Sequence, residues 1–211
     1  MLTLYYFPGA CSMASHAALE ETGAPYELRL IGLLKGEQHE DAYRRINPRG
    51  VVPALQTEDG VLTESIAILT YLAQRFPQAR LLPDSPMAAA RSLAAMSWIS
   101  NTLDVSYRRG ALPQRFVADE AARPAVKEAG QKAFWTNLQT LDADLIGKTW
   151  LAGEQFSVAD LYALVYYGWG QRMRLPMTEL AAFTALKDRL LARPAVRKVL
   201  EDEKNPLVSA P

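Results

Sequence analysis

Strand signals stop at residue 76 of this chain and do not return. Up to "SIAILTYLAQRF", which ends against Pro77, short β-rich runs alternate with helical patterns; from "PQARLLPDSP" onward every patterned segment has helical spacing. Such a break predicts two halves of different architecture. In the first, "LTLYYF" reads as a strand, "CSMASHAALEETG" as a helix closed by Gly23, and "YELRLI" as a second strand, which together make a βαβ unit. A loop at Lys35-Gly36 and a short helical piece near "HEDAYRRI" follow. "NPRGVVPALQTEDGVLTE" then predicts a hairpin about Asp59-Gly60. The next helix carries an apolar stripe of Ile66, Leu69, Leu72, Ala73 and Phe76. The second half predicts helices over 87–110, 123–147, 157–171 and 178–192, with a short one after Pro194. With 211 residues, 49% of them hydrophobic, two compact cores are affordable. The expected division is a first domain over 1–78, a Pro-rich linker over 79–86 and an all-α domain over 87–211.

Bulk properties remove several classes of partner. The 23 basic and 23 acidic side chains cancel, so no net field recruits a nucleic acid. No window reaches the roughly 18 to 20 apolar residues of a membrane span, and Pro8-Gly9 cuts short the only apolar run near the start. One cysteine cannot form an intrachain disulfide. A cytoplasmic location is expected. His16 and His39, the only histidines, have no ligand-like spacing with Cys11, so no metal is expected.

Cys11 stands two residues after Pro8-Gly9, at the start of the first predicted helix. Unpaired amides and the partial positive charge of a helix N-terminus favour an anion there, so the position suits a thiolate; the plain alternative is a buried structural cysteine. Tyr6 ends the first strand, where a phenol can donate to a thiolate, while Tyr5 faces the opposite side and is expected in the core. Ser65 can cap the helix after Glu64. "FSVADL" predicts a capping box of Ser157 and Asp160, with Phe156 stapling onto Leu161, a structural signal.

The series "YYFPGACS", "NPRGVVPALQ", "LTESIAILTYL" and "FSVADLYAL", in this order, resembles the glutathione S-transferase family over essentially the whole chain, and the lone cysteine after "PGA" resembles its bacterial beta class. The resemblance implies a thioredoxin-like N-terminal domain, βαβ-ββα, that binds glutathione, followed by an all-α helical domain that forms most of the pocket for an electrophile. It implies a homodimer. By resemblance, Cys11 and Tyr6 are the catalytic candidates; Ala10, Cys11, Lys35, Val52, Pro53, Glu64 and Ser65 hold glutathione. Pro53 is expected in the cis form, freeing the backbone of Val52 to pair with the cysteinyl unit. Ser65 and Glu64 would take the γ-glutamyl carboxylate and amine, and Lys35 the glycyl carboxylate.

The pattern departs in "SWISNTLDVSYRRGALPQRF", where beta-class enzymes carry a His-Lys pair facing the cysteine and this chain has Tyr107-Arg108. Arginine keeps its charge but accepts no proton. Ser100, Asp104 and Tyr107 share a helix face, with Asn101 and Arg108 nearby. Arg108, Arg109 and Arg115 either line a cleft or pair with acids at the surface. Tyr107, Arg108 and Trp169 are the candidates for the electrophile pocket. The expected activity is activation of the glutathione thiol for conjugation to a hydrophobic electrophile; the alternatives are thiol-disulfide exchange through Cys11 and a non-catalytic glutathione-binding module.

Overall fold

The computed structural model describes residues 1–208. The βαβ unit consists of β1 (Leu2–Tyr6), α1 (Ser12–Thr22) and β2 (Tyr26–Leu30); two single 3-10 turns and α2 (Asp41–Arg44) lead to β3 (Ala54–Thr57), β4 (Gly60–Thr63) and α3 (Ser65–Arg75). The strand order is β2-β1-β3-β4, with β1 parallel to β2 and antiparallel to β3, and β3 antiparallel to β4. Connection length explains the directions: a helical crossover returns the chain parallel, whereas a tight turn reverses it. The hairpin turn is Glu58-Asp59, one residue earlier than the sequence suggests, because Gly60 already pairs with Thr57 and opens β4.

Register puts Leu28, Leu4, Leu55 and Leu62 in one row across all four strands. Since side chains alternate, this row faces the main core with α1 and α3, and Tyr5 faces the other side, where it packs with Tyr43, Ile31 and Val52 in a smaller cluster. α1 is buried from Ser12 to Leu19, because the sheet, α3 and two helices of the second half enclose it. That explains its weak amphipathicity: no side of it meets water.

The second half comprises α4 (Pro86–Trp98), α5 (Asp104–Ala111), α6 (Arg123–Leu145), α7 (Val158–Arg172), α8 (Ala181–Leu191) and α9 (Pro194–Asp202). α4 and α5 are one run, as predicted, but five π-helical residues, Ile99–Leu103, interrupt it, with the Asp104 amide bonded to the Ile99 carbonyl. Such wide turns recur at functional sites. α7 is the central helix, buried along most of its length. The predicted capping box holds its start: the Ser157 amide donates to Asp160 Oδ2 at 2.7 Å, and the Leu151 amide to Asp160 Oδ1 at 2.8 Å. Phe156 packs edge-on to Trp150, with the Arg193 guanidinium 3.8 Å from its ring centre.

Candidate functional site

The loop from β1 to α1 brings Cys11 to the surface of a cleft, and both halves of the chain hold it there. Ser12 Oγ closes the loop on itself by accepting from the Phe7 amide at 3.2 Å and donating to the Phe7 carbonyl at 3.1 Å. Gly9 is held from the helical half. Its amide donates to Glu203 Oε2 at 2.6 Å, and its carbonyl accepts from Trp169 Nε1 at 2.9 Å and Arg172 Nη1 at 3.0 Å. Only glycine suits this place, because φ is +65° and a Cβ would overlap the Arg172 guanidinium. Behind it, His16 Nδ1 donates to Glu203 Oε1 at 2.9 Å, both side chains fully buried.

The opposite wall is the segment before β3. Asn47 Nδ2 and the Tyr43 hydroxyl each donate to the Val51 carbonyl at 2.7 Å, which fixes the chain leading into a cis Val52-Pro53 peptide. The Cys11 thiol donates to the Val52 carbonyl at 3.3 Å. At the start of α3, Ser65 is buried, and Glu64 precedes it with φ +71°, a conformation costly for a residue with a side chain. Strain of this kind persists where surrounding structure imposes it, commonly at binding sites.

Two cavities meet at Cys11, sharing Val51, Val52 and Arg108 as well. One, about 240 Å³, is bounded by Pro53, Glu64, Ser65, Ser100, Asp104 and Tyr162. The other, about 300 Å³ and mainly apolar, is bounded by Leu33, Leu34, Gln38, Tyr107, Leu112 and Trp169. Ala10 lines the second as well. Tyr107 and Trp169 are stacked, ring centres 4.0 Å apart. A larger hollow of about 600 Å³ lies on the other face of the sheet beside Tyr5, away from the thiol.

Several sequence-predicted residues therefore converge: Ala10, Cys11, Val52, Pro53, Glu64, Ser65, Tyr107, Arg108 and Trp169 all border these cavities. Two do not. Lys35 is exposed and lines neither; Gln38, one turn on, does, because the 3-10 turn turns Lys35 outward. Tyr6 packs against the His16 ring on the main-core side. Burial first, then Glu203 and Asp202, push its hydroxyl pKa up.

The electrostatics of Cys11 favour the thiol form over a stabilised thiolate. Burial, and secondarily the Asp104 carboxylate, outweigh Arg108 and the Ser65 hydroxyl and push the thiol up to about 11. The Cys11 amide at the start of α1 also favours the thiolate, but it does not offset burial. Arg108 lies in contact with Asp104, whose Oδ1 also accepts from the Tyr166 hydroxyl at 3.2 Å. Of the other two arginines, Arg109 sits over the Phe116 ring and Arg115 lines the apolar cavity; neither has an acidic partner among the described residues. Ser100, Asp104 and Arg108 share the cleft face and Asn101 turns to solvent. Sequence reasoning missed Gln38, Arg172 and Glu203, which carry no motif of their own. Among the described residues no group of three His, Cys, Asp or Glu side chains is placed to hold a metal.

A four-stranded mixed sheet with a cis proline facing a cysteine at a helix start, joined to a helical half that closes over it, defines a thioredoxin-like protein with an added α-helical domain. Comparison with known proteins narrows this class. Residues 1–74 match the family model for the glutathione S-transferase N-terminal domain and residues 106–194 that for its C-terminal domain. Glutathione S-transferase GstA of Escherichia coli O157:H7 is 33% identical over 96% of this chain and 98% of its own length. Glutathione S-transferase GST-4.5 of Xanthomonas campestris pv. campestris is 31% identical over 96% and 98%. A glutathione transferase homologue from Sulfitobacter, solved with bound glutathione, superposes with a TM-score of 0.92 at 30% identity, covering 97% of this chain and 99% of that one. A beta-class enzyme of Sphingomonas chungbukensis gives 0.84 at 33% identity, over 95% and 98%. The chain belongs to the glutathione S-transferase family.

Proposed function

We propose that this protein binds glutathione along the cleft at Cys11 and conjugates it through sulfur to an apolar electrophile. The observation that carries this reading is the meeting of a peptide-binding edge and an apolar cavity at one thiol. Val52, its backbone presented before cis Pro53, would pair with the cysteinyl unit as an added strand does. Ser65 and Glu64 would hold the γ-glutamyl end at the start of α3. At the glycyl end, Gln38 borders the cleft and Lys35 stands outside it, so Gln38 is the better-placed donor. Ala10 would pack against the ligand, and Tyr6, packed on His16 away from the cleft, would support the loop from behind. The Sulfitobacter homologue, crystallised with glutathione, supports the ligand.

In this scheme the glutathione thiol gives up its proton to solvent and its sulfur lies beside Cys11, which donates a hydrogen bond to it. The sulfur then attacks an electrophile held against Tyr107 and Trp169, with Arg108 facing the charge that leaves. Burial, which pushes the Cys11 thiol up, disfavours it as the exchanging thiol at neutral pH. The first domain, over 1–78, would supply the glutathione site and the helical domain, over 87–211, most of the electrophile site, with 79–86 as the linker. A homodimer in the cytoplasm is the expected form, and no helix among the described residues is long and apolar enough to cross a membrane.

Calorimetry of glutathione binding at neutral pH, with turnover of an activated aryl halide, tests the proposal. Binding and turnover well above the uncatalysed rate are expected. In the Cys11→Ala variant conjugation should persist in part, whereas retained disulfide exchange would exclude Cys11 as an exchanging thiol. Absence of glutathione binding would overturn the assignment.

A further inference from the structure

One arrangement near Cys11 is not accounted for by ligand holding. Asp104 is only 7% exposed, yet it faces the cavity that Cys11 lines. It stands at the end of the π-helical turn, and four residues on, one α-helical turn later, Arg108 contacts it. From α7, the Tyr166 hydroxyl donates to Asp104 Oδ1 and accepts from the Tyr162 hydroxyl, each at 3.2 Å. The carboxylate is thus bound on two sides, and Arg108 is drawn onto it. Arg108 also borders both cavities with Cys11, so its charge is close enough to act on the thiol but is compensated by Asp104. The other polar groups bordering these cavities are Ser65 at the start of α3 and Glu64 just before it, Ser100 in the π-helical turn, Tyr107 on α5, Tyr162 on α7, and Gln38 and Arg115, which line the apolar cavity, with Tyr43 of α2 nearby; besides Arg108, Arg115 is the one cation among them.

We infer that the Asp104–Arg108 pair selects the reaction type: by holding the guanidinium's charge, Asp104 keeps Cys11 a hydrogen-bond-donating thiol and turns the site away from thiol-disulfide exchange. Asp104 is then a positioning residue acting through Arg108. This rests on Cys11 lying at the glutathione sulfur. The direction of the thiol's titration, raised by Asp104 and lowered by Arg108, agrees with the geometry. Released from Asp104, Arg108 would favour the Cys11 thiolate. That thiolate could attack one sulfur of glutathione disulfide: a Cys11–glutathione S–S bond forms, the original S–S bond breaks, and the second glutathione departs as thiolate, with no net oxidant required.

The test is the pH profile of Cys11 alkylation by iodoacetamide, followed by mass spectrometry on the full-length protein, which has no other cysteine. For Asp104→Asn the midpoint should fall by about one pH unit or more, with several-fold faster alkylation at pH 7 and new mixed-disulfide formation with glutathione disulfide. Asp104→Glu should restore the wild-type profile. Should Asp104→Asn not fold, Arg108→Met, which leaves the carboxylate uncompensated, must instead raise the midpoint. An unchanged midpoint in a folded Asp104→Asn, or in Arg108→Met, overturns the inference. Alkylation needs no glutathione, so its result stands apart from the calorimetric test of the ligand itself.

Discussion

Asp160 shows how a local motif acquires an energetic consequence from burial. Its two oxygens satisfy two backbone amides, yet enclosure pushes its carboxyl up to about 6. The folded state therefore holds a proton that the unfolded chain releases near pH 4, and this contribution to stability is present below that range and declines as pH rises through 6. The shift corresponds to about 3 kcal/mol. Urea unfolding of wild type and Asp160→Asn from pH 4 to 7 should show the wild type losing ground by up to that amount as pH rises; a constant difference would refute it. Cys11 teaches the same lesson in a functional position. Its place at a helix start was plain in the sequence, but its protonation follows from burial and from Asp104, 93 positions away, which pattern reading cannot bring beside it.

At the level of elements, the contact between α5 and α6 depends on two glycines. A Cβ on Gly130 would overlap the Gly110 backbone nitrogen and lie 2.6 Å from the Arg109 carbonyl carbon, so only backbone movement could relieve it. Alanine's advantage in a helix, about 1 kcal/mol, does not offset an overpacking cost of up to about 3 kcal/mol. Gly130→Ala should lower the unfolding free energy by about 2 kcal/mol in urea titration, and Gly110→Ala by less, since its Cβ meets the Gln131 side chain and amide at 3.1 Å. A Gly130→Ala protein as stable as wild type would contradict this. Helix extents were largely legible from apolar spacing, but the π-helical turn was not: one extra residue per turn leaves little trace in composition.

Across the whole molecule, the helical half completes the thiol loop. Glu203, just beyond α9, accepts from Gly9 and His16 in a buried site, while Arg193 binds Glu21 through two nitrogens at 2.6 and 2.8 Å. Replacing Glu203 by leucine strands a buried amide and an imidazole nitrogen and should cost about 3 kcal/mol. The same variant should weaken glutathione binding in calorimetry by loosening the loop that carries Cys11. Unchanged affinity in a folded Glu203→Leu protein would show that the loop is held without the helical half.

By itself the sequence determined the order of elements, the hairpin, the capping box of α7 and the presence of a thiol after a Pro-Gly loop, because periodicity, caps and turns are set by residues a few positions apart. The tertiary structure alone decided that Gln38 and not Lys35 borders the cleft, that Glu203 and Arg172 hold Gly9, and that burial pushes the Cys11 thiol up. Those outcomes depend on desolvation and on charges brought together from distant parts of the chain, and both arise only when the two halves pack.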